Sequence, residues 1–422
     1  MRVKGISVKK LFGVFDHSIP LNMEERITII HGPNGYGKTI MLRMLDGFFN
    51  MRYAAWRTTP FEEFRIDFED ESYVRIQPFK NSVDPIIDVY LVKPGAGEKV
   101  DQASVLLLQH PAHVHDDYTT EFSVDQENYE RRTDRLGISE KIQQSRKSEP
   151  EWLSKLRKSV NIHFIRADRL LKKKTTERQG LLPSPPKFEL AVDRYAKELT
   201  EVIQAALAEY GEVSQALDRT FPARVIKESP TPSLSSHELR QKLRSLEEKR
   251  AYLIGAGLLD SDDTVDGQLQ QDIDDRTKSV LSVYVGDTEK KLGVLGKLAA
   301  KIDLFRRIID QRFLYKKMSI DREKGLSFTT LNDRPLPAAR LSSGEQHELV
   351  LYYELLFKVE PDSLVLIDEP ELSFHIVWQQ RFLEDLQEIT RLSSIDALIA
   401  THAPSIIHDR WDLTVELKGP SR

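Results

Sequence analysis

Gly32-Pro33-Asn34-Gly35-Tyr36-Gly37-Lys38-Thr39 concentrates the most usable chemistry in the 422 residues. The run fits G-x-x-x-x-G-K-[ST], whose glycines let backbone N–H groups turn inward around phosphate oxygens. Lys38 is expected to reach the β- and γ-phosphates, and the Thr39 hydroxyl to ligate Mg²⁺. A second run, Leu364-Val365-Leu366-Ile367-Asp368-Glu369, is apolar and ends in two carboxylates. Asp368 is expected to hold Mg²⁺, directly or through water, and Glu369 to polarise an attacking water. ATP and Mg²⁺ are therefore the expected cofactors. A chance glycine turn, or two surface acids after a core strand, is the plainer reading of each run taken alone.

These groups need particular elements to position them. Ile27-Thr28-Ile29-Ile30 reads as a strand before the glycine loop, and Ile40, Met41, Met44, Leu45 and Phe48 recur at helical spacing after it. The helix then points its positive end at the same anion. Short alternating runs over 62–110 read as an antiparallel sheet, and Val160 to Ile165 as another core strand. Residues 111–150 are polar and read as a surface loop or insertion, and the Pro-containing stretch 183–186 as a connector. From 188 to 318 the pattern is mostly helical. Leu190, Tyr195, Leu199, Val202, Ala206 and Tyr210 form one apolar stripe. Ser235 and Glu238 have capping-box spacing after a Pro/Ser-rich break at 227–236. Leu239, Leu243, Leu246 and Leu253 follow at near-heptad steps, as in a short coiled-coil arm. Leu295, Leu298, Ile302, Phe305 and Ile309 mark a last helix. Residues 325–410 return to α/β character.

Two more motifs lie in that last part. Leu341-Ser342-Ser343-Gly344-Glu345-Gln346 comes about twenty residues before the carboxylate strand, and Thr401-His402 follows the strand Ala397 to Ala400. In this order the four motifs resemble the ATP-binding-cassette (ABC) ATPase superfamily, over residues 1–80 and 325–410. The resemblance implies an α/β ABC-type head, a mixed sheet with an antiparallel lobe, carrying a helical insertion. The expected parts are 1–187 and 319–422 for the head and 188–318 for the insertion. It also implies a homodimer of heads, in which Ser342, Ser343, Gly344 and Glu345 of one copy join the ATP site of the other. A helix N-cap is the structural reading of the same residues, and both can hold at once. His402 would be the switch histidine at the γ-phosphate, catalytic together with Glu369. Gln77 and Arg169 are weak candidates for the lobe switch, and Phe12 and Phe15 for adenine stacking, with a surface Arg and core packing as their plainer readings.

The run D-E-P-E-x-x-x-H, Asp368 to His375, resembles the OLD-like and other prokaryotic defence ATPases, including Septu-type and PARIS-type proteins. That resemblance implies a sensor or scaffold in a two-component anti-phage system with a separately encoded nuclease or toxin. OLD proteins carry a Toprim nuclease after the histidine motif, whereas only twenty residues follow His402 here. The alternatives are a DNA clamp of the SMC/RecF-like repair type and an assembly scaffold with little turnover. DNA contact through Arg166, Arg169, Lys172, Lys173, Lys174 and Arg178 is the weaker partner expectation, a solvated face the commoner meaning of such a run.

Composition narrows the rest. Lys+Arg is 61 and Asp+Glu 66, a net charge of −5, which excludes a globally basic nucleic-acid binder. Cysteine is absent, which excludes thiol catalysis, Cys-ligated zinc, iron–sulfur clusters and disulfides. No stretch approaches ~18 consecutive apolar residues, so no membrane span is expected. The N-terminus alternates like a strand rather than a signal core, and a cytoplasmic location is expected.

Overall fold

The computed structural model describes residues 1–79, 86–94, 99–107, 149–173, 188–227, 235–260, 274–323 and 325–419. It is an α/β protein of two compact units, one made of Met1–Arg169 with Glu354–Arg422 and the other of Leu170–Tyr353.

The first unit holds two sheets. Strands β1 (Val3–Leu11), β2 (Phe15–Pro20), β4 (Glu63–Phe68), β5 (Tyr73–Pro78), β6 (Ile86–Lys93) and β7 (Lys99–Leu106) form an antiparallel sheet in the order β2-β1-β4-β5-β6-β7. Their alternation puts Phe64, Ile66, Phe68, Val74, Ile76, Ile87 and Val89 inside at every second position. Strands β3 (Ile27–His31), β8 (Ile162–Ile165), β14 (Leu364–Asp368), β15 (Asp396–Thr401) and β16 (Thr414–Glu416) form a second sheet in the order β16-β3-β15-β14-β8. All its pairings are parallel. Its central strands are continuous apolar runs because both faces are covered. Helix α1 (Lys38–Phe49) joins the sheets: Met41, Leu42, Leu45 and Phe48 share one core with Ile6 and Ile66 of the first sheet and Leu366 and Leu398 of the second. After a one-turn helix α2 (Ala54–Thr58), an unexpected helix α3 (Glu151–Ser159) buries Leu153 and Leu156. Residues 111–148 of the polar insertion expected over 111–150 lie outside the described residues, as does 183–186.

The second unit is built on helices α4 (Ala191–Lys227), α5 (Ser236–Gly255), α6 (Asp275–Arg312) and α7 (Ser343–Tyr353). At 1.5 Å per residue α6 extends about 57 Å. Helix α6 packs against both α4 and α5. The capping box opens α5: Glu238 N–H donates to the Ser235 hydroxyl and the Glu238 carboxylate accepts from Ser235 N–H. Leu239, Leu246 and Leu253 are buried at seven-residue steps, with Leu243 half-buried. The stripe expected on α4 is corrected at one step. Val202 is 36% exposed and its neighbour Ile203 is buried, continuing the four-residue steps of Tyr195 and Leu199 along one face. Leu190 belongs to β10 (Phe188–Leu190), which pairs with β9 (Leu171–Lys173).

The expected boundaries at 187/188 and 318/319 both fall inside this second unit. Strands β11 (Lys316–Asp321), β12 (Gly325–Thr330) and β13 (Pro335–Leu336) form a small sheet that packs on α6 and α4. Gly325 makes this approach close: it has φ +65, and a Cβ there would stand 2.2 Å from the Ala196 carbonyl oxygen.

A buried ion pair ties α6 to α7. Arg312 Nε lies 3.0 Å from Glu348 Oε1, with the two side chains 3% and 0% exposed, and the guanidinium sits 4.9 Å from the Tyr352 ring centroid. Removing one partner strands the other charge in the core. Glu348→Ala is expected to destabilise the protein by about 3–5 kcal/mol in urea unfolding, and Arg312→Met with Glu348→Leu to recover at least about half of that loss.

Candidate active site

Three motifs reach one edge of the parallel sheet because their strands are in register. Asp368 pairs with Ala400, and Thr401 with His31. The glycine loop after β3, the acids ending β14 and the Thr401-His402 segment ending β15 therefore emerge together at the carboxyl ends of the strands, where α/β sheets hold their ligands.

Gly35 and Gly37 adopt φ values of 86 and 88, a left-handed backbone that glycine enters without strain. Gly37 caps α1 without a side chain, so the N–H groups of the first turn face the loop. Lys38 is buried, and its ammonium donates to the carbonyls of Gly32 at 2.7 Å and Pro33 at 3.0 Å. Burial pulls its pKa below the ordinary lysine value, against the pull of Glu369, Glu371 and Asp368. Strand β2 braces the loop from behind. His17 Nε2 lies 3.0 Å from the Tyr36 carbonyl, and the Phe15 ring packs 5.1 Å from the Tyr36 ring. Burial pulls His17 below its ordinary pKa.

The Thr39 hydroxyl donates to Asp368 Oδ1 at 2.8 Å. Asp368 is 4% exposed, and burial, helped by Glu369, pushes its pKa up to about 6 despite that hydrogen bond. A buried hard-oxygen acid beside a hydroxyl suits Mg²⁺, which takes one or two protein oxygens and completes its shell with phosphates and water. Among the described residues there is no cluster of three His, Asp or Glu that could hold a metal ion.

Glu369 follows with φ 45, and its N–H donates to the Ala400 carbonyl at 2.9 Å. Its side chain is 33% exposed and that of His402 48%. Glu371 sits deeper, at 6%. Its Oε1 accepts from the Thr401 hydroxyl at 2.7 Å and from His402 N–H at 3.1 Å, and it lies 3.0 Å from His402 Nδ1. The corresponding approach of Glu369 to His402 Nδ1 is 3.6 Å. Next to these groups a pocket of about 360 Å³ is lined by His31, Gly32, Pro33, Asn34, His402 and Trp411, among others.

The Ser342 segment belongs to the second unit. Ser342 and Ser343 are exposed, and Ser342 caps α7: Glu345 accepts from its N–H at 2.7 Å and its hydroxyl at 2.9 Å. Lys316 Nζ stands 2.5 Å from both oxygens of Glu345. Burial pushes the Glu345 carboxyl up, and Lys316 and Ser342 together outweigh it and hold it below its ordinary pKa. Gln346 donates to the Leu341 carbonyl at 2.8 Å and fixes the turn.

Other expectations resolve differently. Gln77 donates to Glu63 within the antiparallel sheet. Arg169 is no surface residue: it is 2% exposed, donates to the Pro370 carbonyl at 3.2 Å and lies over the Phe374 ring. Arg166 pairs with Asp168 at 3.0 Å. The expected basic face thus loses two of its members to internal contacts, while Lys174 and Arg178 lie outside the described residues. Phe15 packs on Tyr36 and His17, whereas Phe12 is 40% exposed beside Gly37. Sequence reasoning gave Glu371 no role. Its signal was the third acid of Asp368-Glu369-Pro370-Glu371, placed where the chain turns back toward β15.

A family model described as AAA ATPase domain matches residues 1–407. The chain belongs to the AAA ATPase domain family. No curated protein matches it. Similar solved structures include the Smc head domain with an extended coiled coil, bound to the C-terminal domain of ScpA, from Pyrococcus furiosus. That chain is 12% identical, with 99% of this chain and 94% of that one covered at a TM-score of 0.35. The SMC head domain from Thermotoga maritima is also 12% identical, with the same coverage and a TM-score of 0.33. Among the described residues of this AAA ATPase domain, no helix is long and apolar enough to cross a membrane.

Asp368 gives the nucleotide-free AAA ATPase domain a pH dependence of known sign. Its folded pKa of about 6 exceeds the ordinary aspartate value of 3.8, so the folded state holds this proton more tightly. The group's contribution to stability is complete below pH 3.8 and is lost as pH rises through about 6. Asp368→Asn is expected to be more stable than wild type at neutral pH by about 2–3 kcal/mol, with a flatter stability profile between those pH values in metal-free urea titrations.

Proposed function

We propose that this chain binds ATP with Mg²⁺ and hydrolyses it, with each site completed by the Ser342 segment of a second copy. The observation that carries the reading is the Thr39–Asp368 hydrogen bond, which brings the glycine loop and the acid-ended strand into one site. Lys38 would exchange the carbonyls of Gly32 and Pro33 for phosphate oxygens. The first-turn N–H groups of α1 would cradle the same phosphates, and the exposed Phe12 ring would offer a face to the base. Thr39 and Asp368 would hold Mg²⁺, which when bound offsets the charge of the β- and γ-phosphates. Glu369, half-exposed next to His402, would accept a proton from water. The exposed Ser342 and Ser343 at the start of α7 supply the anion-binding end of a helix to the partner copy's nucleotide.

The ATP-driven change of partner contact would be the useful output, with the long helices of the second unit as lever or platform. The order D-E-P-E-x-x-x-H supports a sensor or scaffold of a two-component anti-phage system acting on a separate nuclease or toxin. Affinity purification of a Glu369→Gln form from its native host tests this. Recovery of a stable partner protein supports it, and recovery of the tagged chain alone, or of salt-sensitive DNA binding, overturns it.

Turnover tests the chemistry. Glu369→Gln is expected to lower kcat at least about 100-fold while retaining ATP binding, and Lys38→Ala to lose ATP binding itself. Ser342→Arg is expected to abolish turnover with ATP affinity changed less than about twofold, because the serine serves another copy's nucleotide. Wild-type turnover by Ser342→Arg would end the two-copy reading.

A further inference from the structure

We propose that Glu371 is a positioning residue that seats His402, leaving Glu369 for water. The proposal rests on the ATPase reading above for its kinetic consequence and on geometry for its substance. One oxygen of a side chain only 6% exposed meets three groups of the switch segment: the Thr401 hydroxyl, the His402 N–H and the His402 ring at Nδ1. The Thr401 hydroxyl in turn accepts from Ala403 N–H at 3.0 Å, so the carboxylate organises residues 401–403 as a block. Glu371 is itself fixed. Phe374 N–H donates to its carbonyl at 2.9 Å, and the preceding Pro370 carbonyl is held by the buried Arg169. Its second oxygen, Oε2, is buried and has no hydrogen-bond partner among the described residues, so the carboxylate's interactions converge on the histidine segment.

The two nearby carboxylates differ in what they can do. Glu369 is 3.6 Å from Nδ1, beyond hydrogen-bond distance, and is five times more exposed than Glu371, 33% against 6%. A carboxylate 3.0 Å from Nδ1 favours the ring proton on that nitrogen and leaves Nε2 as the other working face of the imidazole. A third group that orients a catalytic histidine in this way acts without touching the reacting atoms.

Histidine ¹⁵N NMR and a double-mutant cycle test the proposal on the full chain, with His402→Ala assigning the resonance. In nucleotide-free wild type at about pH 8.5, where free imidazole is neutral, His402 is expected as the Nδ1–H tautomer. Glu371→Ala is expected to shift it toward Nε2–H. The same variant is expected to lower kcat about tenfold or more, with KM for ATP changed less than about twofold, and to cost nothing further in a His402→Ala background. Glu371→Gln, nearly isosteric, guards against misfolding: it is expected to lower kcat in the wild-type background and not in His402→Ala. An Nε2–H tautomer in wild type, a tautomer unmoved by Glu371→Ala, or equal kcat losses with and without His402 overturns the proposal. Absence of turnover in wild type instead strikes the ATPase reading, and the tautomer measurements still decide the role of Glu371.

Discussion

The register of the parallel sheet is the constraint on which the first unit's site depends. Ile367 pairs with Ile399 and Asp368 with Ala400, while Thr401 pairs with His31 on the other side of the same strand. Side chains alternate between faces, so a one-residue slip of β14 would turn Asp368 away from Thr39. The slip is resisted because Val365, Leu366, Ile367, Leu398 and Ile399 are all fully buried and would have to trade places across a packed core. The Thr39–Asp368 bond therefore joins residues 329 positions apart because of apolar packing beneath it.

That placement carries an electrostatic burden. Lys38 and Asp368 are both nearly excluded from water, and both have pKa values displaced toward their neutral forms. Two carbonyls of the loop satisfy the ammonium and a hydroxyl satisfies the acid. A buried ammonium whose hydrogen bonds go to neutral carbonyls is well suited to a strongly charged ligand, because the attraction grows as water is excluded. The same place also carries backbone strain: Glu369 and Ser373, both non-glycine, have positive φ on either side of Pro370 and Glu371.

The chemistry-bearing segments were legible because each has a local physical signature. Gly35 and Gly37 announce a left-handed backbone, and Leu364 to Ile367 announce a strand buried on both faces. Ser235 with Glu238 announces a helix start. Pairings over long distance were not legible. Nothing near Glu348 in the sequence points to Arg312, and nothing near Glu345 points to Lys316, since each pair is made by the packing of separate elements. Arg169 misleads for the same reason. It stands among other basic residues in sequence and is buried against Pro370 and Phe374 in space. The hairpin packed on α4 and α6 keeps residues beyond 318 in the second unit, which a change in secondary-structure pattern at 318 does not reveal.

The Ser342 segment illustrates how one arrangement can serve two purposes. Its hydroxyl and N–H close a capping box with Glu345, and Lys316 pins that carboxylate. Glu345, expected among the ATP-binding groups, is thereby occupied inside its own unit. The N–H groups of Ser343 and Gly344 donate to no other group among the described residues, as befits the first turn of a helix. A cap satisfies only part of a helix start. Holding Glu345 with Lys316 fixes the direction of those remaining donors, as the proposed anion site requires.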